Sequence, residues 1–198
     1  MSETSVNAYE IIRRLYEPGS PAHYYLVCHG EAVARKAAEI ADRLDKPGID
    51  RGLLYRGAML HDIGMILTDV PECGGTGTKP YFYHGVLGGQ YLRGIGLDTY
   101  ARFAERHQWM GLTKEDIEME GFDYPDGVYM PETLEERLVC FADCYFSKVS
   151  RWLTTPKPVE HIVSKLPGYQ AERFLNTALE FGECTERECR NLLSAEGV

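Results

Sequence analysis

The chain has 198 residues, 44% of them hydrophobic, and a formal charge of −9. That is enough for one sizeable core, and the expectation is a single domain spanning residues 1–198. The acidic balance argues against nucleic acid polymers and anionic membranes as partners, while a bound cation would still let a pocket accept an anionic substrate.

The N-terminal stretch MSETSVNAYEIIRRLYEPGSP lacks the apolar run of a signal peptide. No segment approaches the roughly 18 uninterrupted apolar residues of a membrane span. The expected location is the cytoplasm. The six cysteines, at 28, 73, 140, 144, 184 and 189, form no CxxC pair and read as reduced thiols.

In chain order the pattern is almost entirely helical. Ser5 or Asn7 caps a first helix, AYEIIRRLYE, stopped by the Pro18–Pro21 cluster. A long helix is predicted over about 22–45, with Leu26, His29, Val33, Ala37 and Ile40 on one inward stripe. After Lys46-Pro47-Gly48, Asp50 caps a helix that delivers His61 and Asp62 at its end. Residues 65–83 are the least regular stretch, read either as a lid or pocket wall or as a surface excursion.

From His84 a helix follows that is rich in small residues. Its Gly85, Gly88 and Gly89 cost helix propensity, which a close backbone approach to a neighbour would offset. The next, over about 97–109, ends with His107 and Trp109, and Thr113 with Asp116 caps a short one. Beyond the turn-rich 121–131 segment a second long helix is predicted over about 132–153, with Leu134, Leu138, Phe141 and Tyr145 as core candidates. Helices over about 158–165, 168–182 and 185–195 complete the chain.

The chemistry concentrates in six residues. The adjacent His61 and Asp62 offer an imidazole nitrogen and a carboxylate oxygen, donors that suit Zn, Mn, Fe, Co or Ni. Asp143 sits between Phe141-Ala142 and Cys144-Tyr145, where a carboxylate needs a partner. That partner is either a metal or one of Arg137, Lys148 and Arg151. His29, His84 and His107 complete the set, whereas His23 reads as a helix-start residue and His161 as a surface residue.

The order His29…His61-Asp62…His84…His107…Asp143 resembles the HD superfamily of metal-dependent phosphohydrolases. The local contexts CHGEAVARKAAEIA, LLYRGAMLHDIG, HGVLGGQYL, AERHQWMGL and LVCFADCYFSK fit as well, and the resemblance covers about 22–153. It implies an all-α helical bundle, with residues from about 154 onward as a helical extension. It also implies that His29, His61, Asp62 and Asp143 meet at one divalent transition metal. His84 and His107 match extra histidines of branches that hold a second ion, with Asp62 as bridge. In the mononuclear rival, these two histidines contact substrate phosphate instead.

The implied reaction is hydrolysis of a phosphate ester or anhydride in a nucleotide or other small phosphorylated metabolite, with metal-activated water as nucleophile. Asp62 is the catalytic candidate, orienting or deprotonating that water. Lys148 is the preferred phosphate contact, reaching back from about 140° around the helix past Asp143. Arg151, Lys114, Arg106 and Lys79 read as solvated charges.

Met65 follows His-Asp-Ile-Gly where many signalling phosphodiesterases of the superfamily have Lys, and no Gly-Tyr-Pro motif is present. The chain thus departs from the cyclic-dinucleotide branch. The branch that cleaves diadenosine tetraphosphate is similar in histidine number and small size. Two other readings share the pattern: an HD-fold di-iron oxygenase, and a noncatalytic interaction module, which usually loses these ligands.

Overall fold

The computed structural model describes residues 6–148 and 150–195. Ser5, one of the two expected caps, lies outside them. Asn7 caps α1 (Ala8–Ile12), accepting from the amides of Tyr9 and Glu10. This helix stops short of Glu17, because Tyr16 turns inward and is fully buried. Its hydroxyl donates to the Ile63 carbonyl at 2.9 Å and accepts from the Ile66 amide at 3.0 Å.

Ser20 caps α2 (Pro21–Leu44), whose first position takes a proline that needs no amide partner. Asp50 caps α3 (Arg51–Leu60). The irregular stretch that follows holds a two-residue parallel pairing of β1 (Thr68–Asp69) with β2 (Lys79–Pro80), and short 3-10 turns flank it. Next come α4 (His84–Gly94), α5 (Asp98–Arg106) and α6 (Lys114–Glu120), the last opened by a capping box between Thr113 and Asp116.

α7 (Leu134–Asp143) is shorter than the sequence pattern predicts. The chain unwinds after Asp143 because Lys157 captures the carbonyls that a longer helix would use. The Lys157 ammonium donates to Cys144 O at 3.1 Å and to Phe146 O, while its amide donates to Tyr145 O at 2.7 Å. α8 (Val159–Val163), α9 (Gly168–Glu180) and α10 (Glu186–Ala195) follow. Cys184 and Cys189 are disulfide-bonded, which corrects the reading of all six cysteines as thiols. The turn between α9 and α10 brings their Cα atoms to 6.6 Å.

The fold is all-α apart from that small pairing. Two apolar clusters make the core. In one, Val33, Ala37 and Ile40 of α2 meet Leu54 of α3, Phe141 of α7 and Phe174 of α9. In the other, Leu26, Met59 and Leu60 pack on Leu92 of α4 and on Ala101 and Ala104 of α5. Phe141 stacks on Phe174 at 4.9 Å, so α9 belongs to the same packing as the motif-bearing helices.

The glycines of α4 mark backbone contacts, as their cost in helix propensity suggested. A Cβ on Gly85 would lie 2.6 Å from Ala104 O of α5. On Gly64, just after His61-Asp62, a Cβ would strike the His84 carbonyl and the backbone of Gly88.

One buried ion cluster ties α5 to α7. Glu136 accepts from Arg102 Nε at 2.6 Å, from Arg106 at 2.9 Å and from the Glu132 amide at 2.8 Å. Arg106 is thus a buried structural partner, not a solvated charge. Burial alone would raise the Glu136 pKa, but the Glu132 amide and the two guanidiniums hold it below the ordinary value of 4.5. A depressed carboxylate pKa contributes stability above the unfolded pKa and loses it as pH falls through the folded one. Glu136→Ala is expected to cost about 3 kcal/mol at neutral pH and to flatten the acid limb of stability. Urea titrations between pH 3 and 7 check this, and parallel wild-type and variant curves would refute it.

Candidate metal centre

Four of the six predicted residues stand at helix termini. His61 is the C-cap of α3, His84 opens α4, His107 is the C-cap of α5 and Asp143 closes α7. Asp62 follows directly on His61, and His29 projects from the middle of α2. At a terminus the chain turns, so a side chain can aim along the helix axis into a shared centre. The structure brings all six together.

Asp62 lies at the middle, with a side chain only 1% exposed. Its Oδ2 is 3.0 Å from both His29 Nε2 and His61 Nε2, while its Oδ1 is 3.0 Å from His84 Nε2 and 3.4 Å from His107 Nε2. Asp143 Oδ1 closes the first side, 2.8 Å from His29 Nε2 and 3.5 Å from His61 Nε2. Asp143 therefore pairs with histidines and not with the cations weighed for it. Arg137 instead pairs with Glu180, Arg151 stacks over Trp152, and Lys148 reaches Asp62.

Three histidines are oriented by the same device. Nδ1 of His61, His84 and His107 faces the carbonyl of Ala58, Tyr81 and Ala104 at 2.6, 2.7 and 2.8 Å, each three residues earlier. A proton on Nδ1 donated to that carbonyl leaves the Nε2 lone pair pointing inward. Yet the Nε2 atoms of His84 and His107 stand 2.9 Å apart, and those of His29 and His61 3.2 Å apart. Lone pairs that close repel one another unless a cation lies between them.

Both Asp62 oxygens have close polar neighbours but make no well-formed hydrogen bond, and His29 Nδ1 has no partner among the described residues. Two donor groups result: His29, His61, Asp62 and Asp143, then Asp62, His84 and His107, each with ligand atoms within 4.8 Å of one another. Donors held at right angles about 2.1 Å from one ion lie about 3.0 Å apart, close to the spacings seen here. The residues fit divalent metal.

The local field differs between the two sides of the centre. Burial opposes ionisation of His61, but Asp62 and Asp143 beside it lift its pKa to about 10. His107 goes the other way: burial, with His61 and His84 beside it, lowers its pKa to about 4 against the pull of Asp62. Burial would raise the Asp62 pKa, yet Lys148 and His61 hold it well below the usual carboxylate range. His29 and His61 do the same for Asp143.

Lys148 reaches the centre by a route the helical reading did not anticipate. It lies beyond the end of α7, with Nζ 2.5 Å from Asp62 Oδ2 and 5.3 Å from the centre of the Tyr81 ring. Lys79 and Lys114 are exposed, as expected of solvated charges. His23 lies in the first turn of α2, as read. His161 is half-buried against Trp152 and lines a cavity, which corrects its reading as a surface residue.

A cavity of about 430 Å³ opens beside the centre, bounded by His84, His107, Asp143 and Lys148 and walled by aromatic rings. Tyr81 and Phe82 come from the end of the irregular stretch, which makes this end of it a pocket wall. Phe82 stacks on Phe122 at 4.3 Å, and Tyr81 stacks on His84 at 4.4 Å. Trp109 has φ +51°, a conformation rare for a bulky residue. Tyr81, Phe82, Trp109 and Phe122 were not singled out as site residues from sequence. The aromatic run Tyr81-Phe82-Tyr83 just before His84 was the available signal.

The model of the HD domain family matches residues 26–147, which carry all six residues. The chain belongs to the HD domain family. It is 38% identical over 121 residues to an uncharacterized protein of Methanocaldococcus jannaschii, across 60% of this chain and 64% of that protein. It is 33% identical over 119 residues to the tRNA (cytidine(56)-2'-O)-methyltransferase of Picrophilus torridus, across 60% of this chain and 30% of that one. With the enzyme of the same name from Thermoplasma volcanium the identity is 36% over 134 residues, across 67% and 34%. The chain thus spans less than two thirds of each relative's length. No solved structure matches it. Family membership and the His/Asp cluster support a divalent metal site of the phosphohydrolase-like kind. Among the described residues no helix is long and apolar enough to cross a membrane.

Proposed function

We propose that this HD-family protein is a two-metal phosphohydrolase acting on a phosphate ester or anhydride of a nucleotide or similarly sized metabolite. One observation carries the reading: the two oxygens of Asp62 face two different ligand sets, as a carboxylate shared by two ions requires. His29, His61, Asp62 and Asp143 would hold one ion, and Asp62, His84 and His107 the other. Two ions bound there would supply an activated water and draw charge from the phosphoryl oxygens.

The protein's own groups supply the rest. The carbonyls of Ala58, Tyr81 and Ala104 hold three imidazoles in the donor tautomer. Asp62 would hold both sides of the centre together through its two oxygens. Burial opposes the charge on Lys148, but Asp62, Tyr81 and Asp143 hold its pKa well above the ordinary lysine value, so it presents a full positive charge to a phosphoryl oxygen. The cavity has room for a small ligand, and rings of Phe82, Trp109 and Phe122 suit the flat face of a nucleobase. The net charge of −9 disfavours a polymeric nucleic acid substrate. The methyltransferase name stays with the relatives that carry it, since the chain spans about a third of each.

The test combines metal analysis with phosphate release from nucleoside mono- and polyphosphates, with oxygen uptake followed in parallel. Wild type is expected to bind two ions per chain and release phosphate without consuming oxygen. His84→Ala is expected to retain one ion and to lose about 100-fold in rate or more. Oxygen uptake without phosphate release would overturn the hydrolase in favour of an oxygenase, and one ion in wild type would overturn the dinuclear reading.

A further inference from the structure

Next to the aromatic cavity lies a second one of about 210 Å³ that shares Asp143 and Trp109 with it. The two cavities therefore meet at a metal-site carboxylate and at a residue held in the left-handed conformation. The far wall is different in character. It carries Lys157, His161 and Lys165 around an apolar floor that includes Phe146 and Ile162. All three polar residues lie beyond residues 26–147, the part matched by the family model.

About half of the chain's cations are held by carboxylates. Arg43, Arg93, Arg102, Arg106, Arg137 and Arg173 each contact a carboxylate. Neither the Lys165 ammonium nor the His161 ring has a hydrogen-bond or ion-pair partner among the described residues. Lys157 gives two of its three N–H donors to the carbonyls of Cys144 and Phe146, which leaves one for the cavity it lines. Asp143 is the single carboxylate in the lining, and its Oδ1 is turned to His29 and His61 at 2.8 and 3.5 Å. A small open cavity with three nitrogen-bearing side chains, Lys157 and His161 half-buried and Lys165 exposed, and one carboxylate turned to the histidines of the centre matches a compact anion.

We propose that the chamber lined by Lys157, His161 and Lys165 binds a second phosphate group of the substrate while the first lies at the metal centre. The enzyme then selects compounds with two separate phosphates over those with one. The inference rests on the hydrolase reading for the source of the anion, whereas the anion site itself stands on the cavity.

Inorganic phosphate is the first probe, titrated into the full metal-loaded chain while the His161 ring resonances are followed by NMR. Saturable shifts are expected in wild type. Affinity at His161 should fall about tenfold in Lys165→Glu, and stay within about twofold in Lys114→Glu, an equal charge change on exposed α6. The second measurement compares a nucleoside 5'-monophosphate with a nucleoside 3',5'-bisphosphate as substrates. Lys165→Glu is expected to raise KM for the bisphosphate about tenfold relative to the monophosphate. Absence of saturable shifts at His161, equal effects of the two lysine variants, or equal KM changes for both substrates would overturn the proposal. Saturable His161 shifts in a protein that hydrolyses neither nucleotide would keep the anion site and remove the hydrolase reading alone.

Discussion

Asp62→Asn is expected to release both metal ions at once and to lower phosphate release by at least about 1000-fold. The reason is its position. Each Asp62 oxygen faces a different histidine pair, so losing the carboxylate charge weakens both sets together, whereas His84→Ala touches one. The same change leaves the buried Lys148 ammonium without its nearest counter-charge, 2.5 Å away in the wild type. Folding stability should therefore drop by about 3 kcal/mol in metal-free protein, since an unpaired buried charge is costly. Elemental analysis of the purified variant and its urea midpoint check both parts. A variant that retains two ions would show that Asp62 is not the bridge.

Gly64→Ala should lower stability by about 3 kcal/mol, at the upper end of what one added methyl does in a packed interior. The new Cβ would meet backbone, the His84 carbonyl and Gly88, with Gly88 Cα at 2.8 Å. Backbone in a helix yields less readily than a side-chain tip, so α4 has to move outward. His84 sits at the start of that helix, and the ion held by His84 and His107 should be lost before the other. Gly94→Ala is the control: it lies at the end of α4 with nothing within 4 Å of a Cβ, and should be neutral or slightly stabilising. Urea denaturation and metal stoichiometry on the two variants decide the matter, and equal midpoints would refute the close contact.

Both expectations rest on residues that differ in how readable they were. His61, Asp62 and their four partners were legible because their order and local contexts resemble the HD superfamily, and helix ends were legible because caps leave marks in sequence. A ligand needs a specific side chain, and a cap needs Ser, Asp, Asn or Thr at a specific offset. Asn7 before α1, Asp50 before α3, and Thr113 with Asp116 all appear where the local code places them, whereas Ser20 caps α2 from within a cluster read only as a helix stop. The inward stripe of α2 was equally clear, since Leu26, His29, Val33, Ala37 and Ile40 are all buried.

Other features depend on contacts between distant residues, which local periodicity does not record. α7 ends at Asp143 because Lys157, fourteen residues later, takes the carbonyls that would continue it. α1 ends early because Tyr16 is drawn to Ile63 and Ile66. Arg106 read as solvated and is buried because Glu136 lies across the interface between α5 and α7.

By itself, then, the sequence determined the helical class and most caps, since each depends on residue type and on spacing along one helix, while the resemblance to the HD superfamily pointed to the six His and Asp side chains that meet at the centre. Only the tertiary structure decided how the two Asp62 oxygens divide, which aromatic rings wall the cavity, and where Lys157, His161 and Lys165 converge. Those are distances between segments far apart in the chain, set by how the helices pack.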